Sequence, residues 1–373
     1  MTLVRPDFIE RSPTIIEPEV IAAFETALGK QLFPGQLERL LLNVAVYREL
    51  RIRIGIQSAA EQNLVNYATG TNLDQLGALL AVTRLAASAA TVTLQLSRAG
   101  TTGNLVIPTG STARQPGSSV LFATDAEVTI SDGQSSIQVT ATATTMGAST
   151  SGFSIGTITQ IVSAPSEVIS VTNTAASSGG ADAESDEAFR ARIKLAPNQF
   201  SVAGSKGAYK FHTLSVDSSI IDVAVLGPED RNGANPVTVD VYPLLNTGLP
   251  GQPLLDSIAD TLDLDTIRPL TDIVNVAAPP EVNYTITAHV TILDSADQAT
   301  VQAALDAEIT EYTTAQSSQL GLDVVRSQII STLHVDGVYS VELVSPAADI
   351  VLAPNEWPNV TTATVSIVGT NDG

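Results

Sequence analysis

Three observations predict that this 373-residue chain is a multidomain α+β protein. Apolar residues recur at helical spacing through most of residues 1–90. Thr/Ser-rich alternation begins abruptly at Thr91. From residue 181 onward helical and strand patterns mix, with a weak internal repeat. The expected architecture is an N-terminal helical arm (1–90), a small antiparallel β-barrel or sandwich (91–180), and two tandem small α+β domains (181–278 and 279–373).

In the arm, Glu17-Pro18 opens a first helix. Val20, Ile21, Phe24 and Leu28 form its stripe, and Gly29 is its C-terminal cap. After Pro34-Gly35 a long helix runs to about Thr69, carrying Leu37, Leu40, Leu41, Val44, Tyr47, Leu50, Ile54, Ala60, Leu64 and Val65. These cover more than one stripe, so the helix is expected to pack on two sides. Thirty-five residues extend about 50 Å, more than a small domain usually spans. Gly70 breaks the helix. A short one follows over Asn72–Val82, with Asn72 and Gln75 as a capping box.

Residues 91–180 hold 32 Ser or Thr and only six charged side chains. Strands are expected at Thr91–Ser97, Gly103–Pro108, Val120–Ala123, Glu127–Ile130, Ile137–Thr142 and Gly156–Val162, spaced as in a barrel or sandwich. Ser177-Ser178-Gly179-Gly180 reads as a linker. Beyond it, Leu214–Pro228 aligns with Leu333–Pro346. Each is preceded by a helical segment (about Ala203–Thr213 and Asp323–Thr332) and followed by a strand (Val237–Tyr242 and Thr362–Val368). Val168–Thr172 and Tyr284–Ile292 take the leading-strand positions, so tandem duplication is the simplest account.

Charge is unevenly spread. Residues 1–180 carry 13 acids and 10 bases, a balance of −3, and residues 181–373 carry 26 acids and 8 bases, a balance of −18. The acidic half repels phosphate, which argues against nucleic acid as a partner. No apolar run reaches membrane-spanning length, and the N-terminus lacks the pattern of a signal peptide. With no cysteine there are no disulfides, thiolate metal sites or cysteine nucleophile.

The sequence carries no catalytic set, and no cofactor or metal is expected. His212, His289 and His334 lack metal-ligand spacing. Gly204-Ser205-Lys206-Gly207 lacks P-loop spacing and reads as a capped helix start. Asp182, Glu184, Asp186 and Glu187 offer hard-cation oxygens, yet acids at a helix start followed by Arg190, Arg192 and Lys194 match the helix dipole. Asp186 and Arg190 also form an i,i+4 pair. Asn283-Tyr284-Thr285 and Asn359-Val360-Thr361 match glycosylation sequons, with no secretory signal to accompany them. On the long helix Arg48 and Arg51 share a face while Arg53 points elsewhere. They are either solvated or paired with a partner's acids in a bundle.

Two segments carry a resemblance. Tyr47–Ser97 resembles the baseplate J-like proteins of contractile phage tails and related injection machines. In that family a long helix ends in A-x-G-x-x-L-D-x-L-(G/A) before a barrel, matched here by Ala68, Gly70, Leu73, Asp74, Leu76 and Gly77. Gly179–Pro228 is similar to the family's G-G-x-(D/E)-x-E-(S/T)-D-x-x-(F/L/Y)-R-x-R segment and the G-(S/T)-x-x-(A/D)-Y helix after it. The matching residues are Gly179, Gly180, Asp182, Glu184, Ser185, Asp186, Phe189, Arg190, Arg192, Gly204, Ser205, Ala208 and Tyr209. Pro197-Asn198-Gln199-Phe200 departs from the pattern.

The resemblance implies a non-enzymatic wedge subunit in a virion tail baseplate assembled in the bacterial cytoplasm. Its implied partners are a second copy of itself, a wedge partner protein of the baseplate J-associated type, neighbouring wedges, and sheath-proximal and hub or spike proteins. Six wedges would form a ring around the spike and rearrange on sheath contraction. Leu37, Leu41, Val44, Tyr47, Arg48, Arg51 and Ile54 on the long helix, with Leu73 and Leu76 at its junction, are the residues expected to meet partners. The competing readings are a host-binding fibre or adhesin, which the low aromatic content of 4% disfavours, and a carbohydrate hydrolase.

Overall fold

The computed structural model of the chain describes residues 4–201, 204–231, 237–264 and 266–372. They divide into two compact units. One contains the residues up to Arg84 together with Phe189–Lys194; the other contains Leu85–Ala188 and the chain from Leu195 onward.

In the N-terminal unit, α1 (Pro13–Leu28) begins earlier than Glu17-Pro18. Ser12 is extended and Pro13 takes the first helical position, where its missing N–H costs nothing. Pro18 falls inside the helix and has no N–H to give the Thr14 carbonyl. Gly29 caps the end as expected, at φ 66° with its N–H on Glu25 O. The long helix α2 spans Leu37–Glu61, 25 residues and about 37 Å rather than 50. It stops where Asn63 turns its side chain onto the Ala59 carbonyl (3.0 Å) and the Gln62 side chain accepts the Thr69 N–H (2.9 Å). Polar side chains there compete with the helix for backbone groups. Ile16 and Ile21 of α1, and Leu42 and Val46 of α2, are the buried apolar residues of the packed pair.

α3 spans Gly70–Ala78, beginning two residues before Asn72 with Thr69 as its cap. Asn72 is therefore not a cap; its amide donates to Gln62 Oε1 at 3.2 Å. Ala81 at φ 56° closes the helix, with Ala81 N–H on Ala78 O and Val82 N–H on Gly77 O. This paired 5→2 and 6→1 arrangement satisfies the terminal carbonyls.

The N-terminal segment lies along α2 through a polar strap. Arg5 grips the Glu61 carboxylate with Nε and Nη2 (2.7 and 2.8 Å), and Gln57 donates to the same carboxylate and to Pro6 O. Phe8 N–H donates to Gln57 Oε1 at 2.9 Å. The hydrogen bonds from Arg5 and Gln57 hold Glu61 well below its ordinary value, at about 2. A lowered carboxylate pKa contributes stability that is complete above the unfolded value and lost as pH falls through the folded one. Protection of the Phe8 amide against hydrogen exchange should therefore be flat at neutral pH and decline between about pH 4 and pH 2. Glu61→Gln should abolish that acid step. A wild-type profile with no step in this window would overturn the assignment.

In the second unit, β1 (Thr91–Arg98), β3 (Thr112–Arg114), β4 (Phe122–Thr124), β6 (Ser136–Ala143), β7 (Gln160–Ser163) and β8 (Val168–Asn173) form an antiparallel sheet in the order β7-β3-β4-β6-β1-β8. Its edges β7 and β8 lie against each other, so the barrel is nearly closed. β2 (Leu105–Ile107) and β5 (Val128–Ile130) pair separately. Inward residues include Leu94, Leu96, Ile107, Phe122, Ile130, Ala141 and Ile158. Two strand readings change. Thr112–Arg114 is a strand too short for alternation to reveal. Val168–Thr172 does not lead an α+β domain; it pairs with β1 from Leu94↔Asn173 to Arg98↔Val168.

α4 (Asp186–Leu195) is followed by α5 (Lys206–Leu214), β9 (Ile220–Leu226), β10 (Thr238–Leu245), α6 (Gln252–Leu262) and β11 (Ile273–Val276). The Ala203 start expected for the α5 segment lies outside the described residues. This sheet has the order β11-β10-β9, β10 being parallel to β11 and antiparallel to β9. The last sheet joins β12 (Glu281–Leu293), β13 (Val338–Ser345) and β14 (Trp357–Asn371) in the order β13-β12-β14, and α7 (Gln298–Ser317) and α8 (Arg326–Thr332) add Val301, Leu305, Ile309 and Ile329 to its core. Both sheets have one antiparallel and one parallel edge, and the aligned segments do form corresponding edge strands, β9 and β13. The chain enters the two sheets differently: β10 follows β9 into the centre, whereas β12 precedes its helices. The sequence repeat thus marks a shared helix–edge-strand unit inside two different connections.

Candidate assembly interface

The inward face of α2 is occupied within its own unit. Leu42 and Val46 are buried, Arg39 pairs with Glu17 of α1 at 2.9 Å, and Arg53 pairs with Glu49 at 2.6 Å. Its outward face is different. Leu37 (69% exposed), Leu40 (55%), Leu41 (63%), Val44 (59%), Tyr47 (59%) and Ile54 (56%) lie on an arc of about 160° that also carries Arg48, Arg51 and Ile52. Scattered exposed apolar residues need no explanation, but a continuous apolar face on one helix marks an interaction surface. Arg51 Nη1 donates to the Tyr47 hydroxyl at 3.3 Å, a contact that raises the guanidinium pKa.

Of the residues expected to meet partners, Leu37, Leu41, Val44, Tyr47, Arg48, Arg51 and Ile54 share this exposed face. Leu76 is half-buried and Leu73 is fully buried, so Leu73 offers no surface to a partner in this conformation. Its place on α3 points it into the N-terminal unit. Leu40 and Ile52 belong to the face and went unselected; their angular position on the helix was the available signal.

Leu73 is buried in a unit held by residues from far along the chain. On α4, Phe189 is fully buried, with the Arg84 and Arg192 guanidinium carbons 4.8 and 5.5 Å from its ring centroid. Arg190 donates to the carbonyls of Val65 (2.8 Å) and Ala68 (2.7 Å), and Arg192 to that of Thr83 (2.6 Å). Arg84 in turn pairs with Asp74 at 2.8 Å. Gly77 leaves room for Phe189: a Cβ there would lie 2.5 Å from Phe189 Cζ. Arg190 and Arg192 therefore bind carbonyls, a role beyond matching the dipole of their own helix. The i,i+3 placement of Phe189 and Arg192 was the signal for a shared inward face.

The acidic cluster divides between two roles. Asp186 and Glu187 occupy the first turn of α4. Asp182 Oδ1 instead accepts the Ala148 N–H at 2.9 Å, and Glu184 Oε2 accepts the Leu85 N–H at 3.0 Å. Ser205 caps α5 by accepting the Ala208 N–H, and Lys206 pairs with Asp230 and Glu229. Tyr209 donates to Asp272 at 2.9 Å, and burial raises its pKa. His212 packs edge-on against Phe211, and burial lowers its pKa.

Four domains of one family match in order along the chain: the Baseplate J-like N-terminal domain (39–91), barrel domain (83–180), central domain (201–278) and C-terminal domain (284–366). The chain belongs to the baseplate J-like family. Baseplate protein J of Escherichia phage P2 is 37% identical over 169 residues, 45% of this chain and about half (54%) of that protein. A chain in the cryo-EM structure of the anti-feeding prophage baseplate is similar over 92% of this chain and 90% of its own, at a TM-score of 0.45 and 15% identity. Within the family motifs, Gly77, Phe189, Arg190 and Arg192 now have physical roles in this fold: close approach, a buried ring and carbonyl capture.

Proposed function

We propose that the protein is a structural, non-catalytic subunit of a contractile-tail baseplate. It would join wedge subunits into a ring around the central spike and rearrange on sheath contraction. In this reading residues 1–90 are a bundle-forming arm, and segments 91–180, 181–278 and 279–373 form the body of the ring. The arm holds a second copy and a wedge partner protein, while the body meets neighbouring wedges and hub- or sheath-proximal proteins. The observation that carries this proposal is the outward apolar face of α2, a surface suited to permanent burial in a chain whose relatives include a baseplate protein. Discrete repacking of such interfaces is how an assembled ring could pass between two arrangements.

Co-expression with the neighbouring tail gene, followed by mass measurement, tests the proposal. A stable complex of two copies with one partner is expected. Persistent monomer beside a soluble, folded partner would overturn it.

A further inference from the structure

The central and C-terminal domains lie in the same compact unit and meet at a narrow joint. Among the described residues, no helix or strand of one runs along a helix or strand of the other. Four residues, Ala277-Ala278-Pro279-Pro280, connect β11 to β12. A stiff Pro-Pro linker of this length sets how far apart the two sheets sit. It leaves their mutual rotation free, and domains that share a narrow joint turn against each other by default. Something else must hold the angle.

Asp222 of β9 gathers three donors on one carboxylate at this joint. On the central side, its Oδ1 accepts the Lys210 ammonium of α5 and the Val223 N–H, each at 2.8 Å. Across the boundary, its Oδ2 accepts the Leu320 N–H at 3.1 Å, from the turn that follows α7. A hydrogen bond to a carboxylate is stronger than a neutral one, and Lys210 holds this carboxylate in place to receive it. Beside that bond the Leu245–Gly248 turn faces Trp357, whose ring would lie 3.3 Å from a Cβ at Gly248. Each wall is firm: Leu245 and Gly248 exchange hydrogen bonds, and the Trp357 indole donates to Ser317 O at 2.9 Å. The walls enclose an open cleft of about 270 Å³ with a chiefly polar lining, from Asn246, Thr247, Thr313, Thr314, Ser317 and Asn359. Water solvates such a lining, so the cleft can widen at little cost.

We propose that the central and C-terminal domains form a latched hinge. Pro279-Pro280 is the pivot, and the Asp222 carboxylate on the Leu320 N–H is the catch that holds the closed angle. The inference stands on the geometry of the joint alone. Within the proposed reading it locates where the body of the ring bends, and that reading fails separately, on the mass of the co-expressed complex.

The full chain has no cysteine and one tryptophan, so both labels and fluorescence report on chosen sites. Asp260→Cys on α6 and Glu308→Cys on α7, both exposed, place spin labels on either side of the joint. Glu127→Cys in the barrel, paired with Asp260→Cys, is the control. Double electron–electron resonance should give one narrow α6–α7 distance in the labelled parent. Asp222→Ala should raise the ratio of open to closed about ten-fold or more, seen as a second distance. Trp357 emission should shift to the red as the ring gains water. Asp222→Asn, whose amide oxygen still accepts the Leu320 N–H, should keep the narrow distance. The barrel–α6 distance should stay unchanged throughout, because Ser218 still donates to Asp182 O at 2.8 Å; this also shows that the variants are folded. A narrow α6–α7 distance in Asp222→Ala would overturn the inference. So would equal broadening of the control pair, or an Asp222→Asn variant as broad as Asp222→Ala.

Discussion

Phe189→Ala should be among the most damaging single substitutions in the N-terminal unit, costing about 3–5 kcal/mol. The ring is fully buried, flanked by two guanidinium groups, and in contact with the backbone at Gly77. Its removal leaves a cavity that α3 cannot fill, because that helix is fixed at its end by the Gly77–Val82 hydrogen bond. Hydrogen exchange should show the α3 amides losing protection by about 10²-fold or more. Gly77→Ala should be destabilising from the other side of the same contact. Alanine ordinarily favours a helix over glycine by about 1 kcal/mol, but a Cβ 2.5 Å from Phe189 Cζ reverses the sign, at about 1–3 kcal/mol. The two losses should not add: in Phe189→Ala the added methyl meets empty space on the ring side, and only the Val82 carbonyl at 2.9 Å still crowds it. Additive losses in a urea-unfolding cycle would show that the two residues do not act through this contact.

How much of this was legible in the sequence depends on the range of the interaction responsible. β1 was readable because alternation in Thr91–Ser97 maps directly onto an inward–outward burial pattern. The existence of α2 was readable from its period, but its end was not. Leu64 and Val65 continue the apolar rhythm, and yet they lie in turns whose carbonyls at Val65 and Ala68 are captured by Arg190, more than 120 residues away in sequence. Val168–Thr172 was recognisable as a strand, but strand pattern does not name its neighbour, and β1 won the pairing. The candidate site shows the same division. That α2 has two apolar sides follows from composition. Which side α1 covers follows from ion pairs such as Arg39–Glu17, and that placement leaves Leu41 outside and Leu42 inside.

That adjacency gives the second large effect. Leu41→Glu/Val44→Glu should leave the isolated chain folded, with its urea midpoint changed by no more than about 0.5–1 kcal/mol equivalent, because both side chains are well exposed and glutamate is a good helix former. In the assembled complex the same pair should be severe. Each removes an apolar anchor near the centre of the face, worth about 1–3 kcal/mol when buried, and each places a carboxylate where an apolar side chain would be buried. The combined loss should reach about 10²- to 10³-fold in affinity, enough to abolish a co-purified complex. Leu42→Ala, one residue along, should do the reverse: it leaves the outward face intact and destabilises the α1–α2 pair by about 2–5 kcal/mol. Measuring both stability and complex mass on the two variants separates packing inside the arm from assembly outside it. If Leu41→Glu/Val44→Glu still yields a complex of wild-type mass and salt resistance, the outward face of α2 is not where the arm is held.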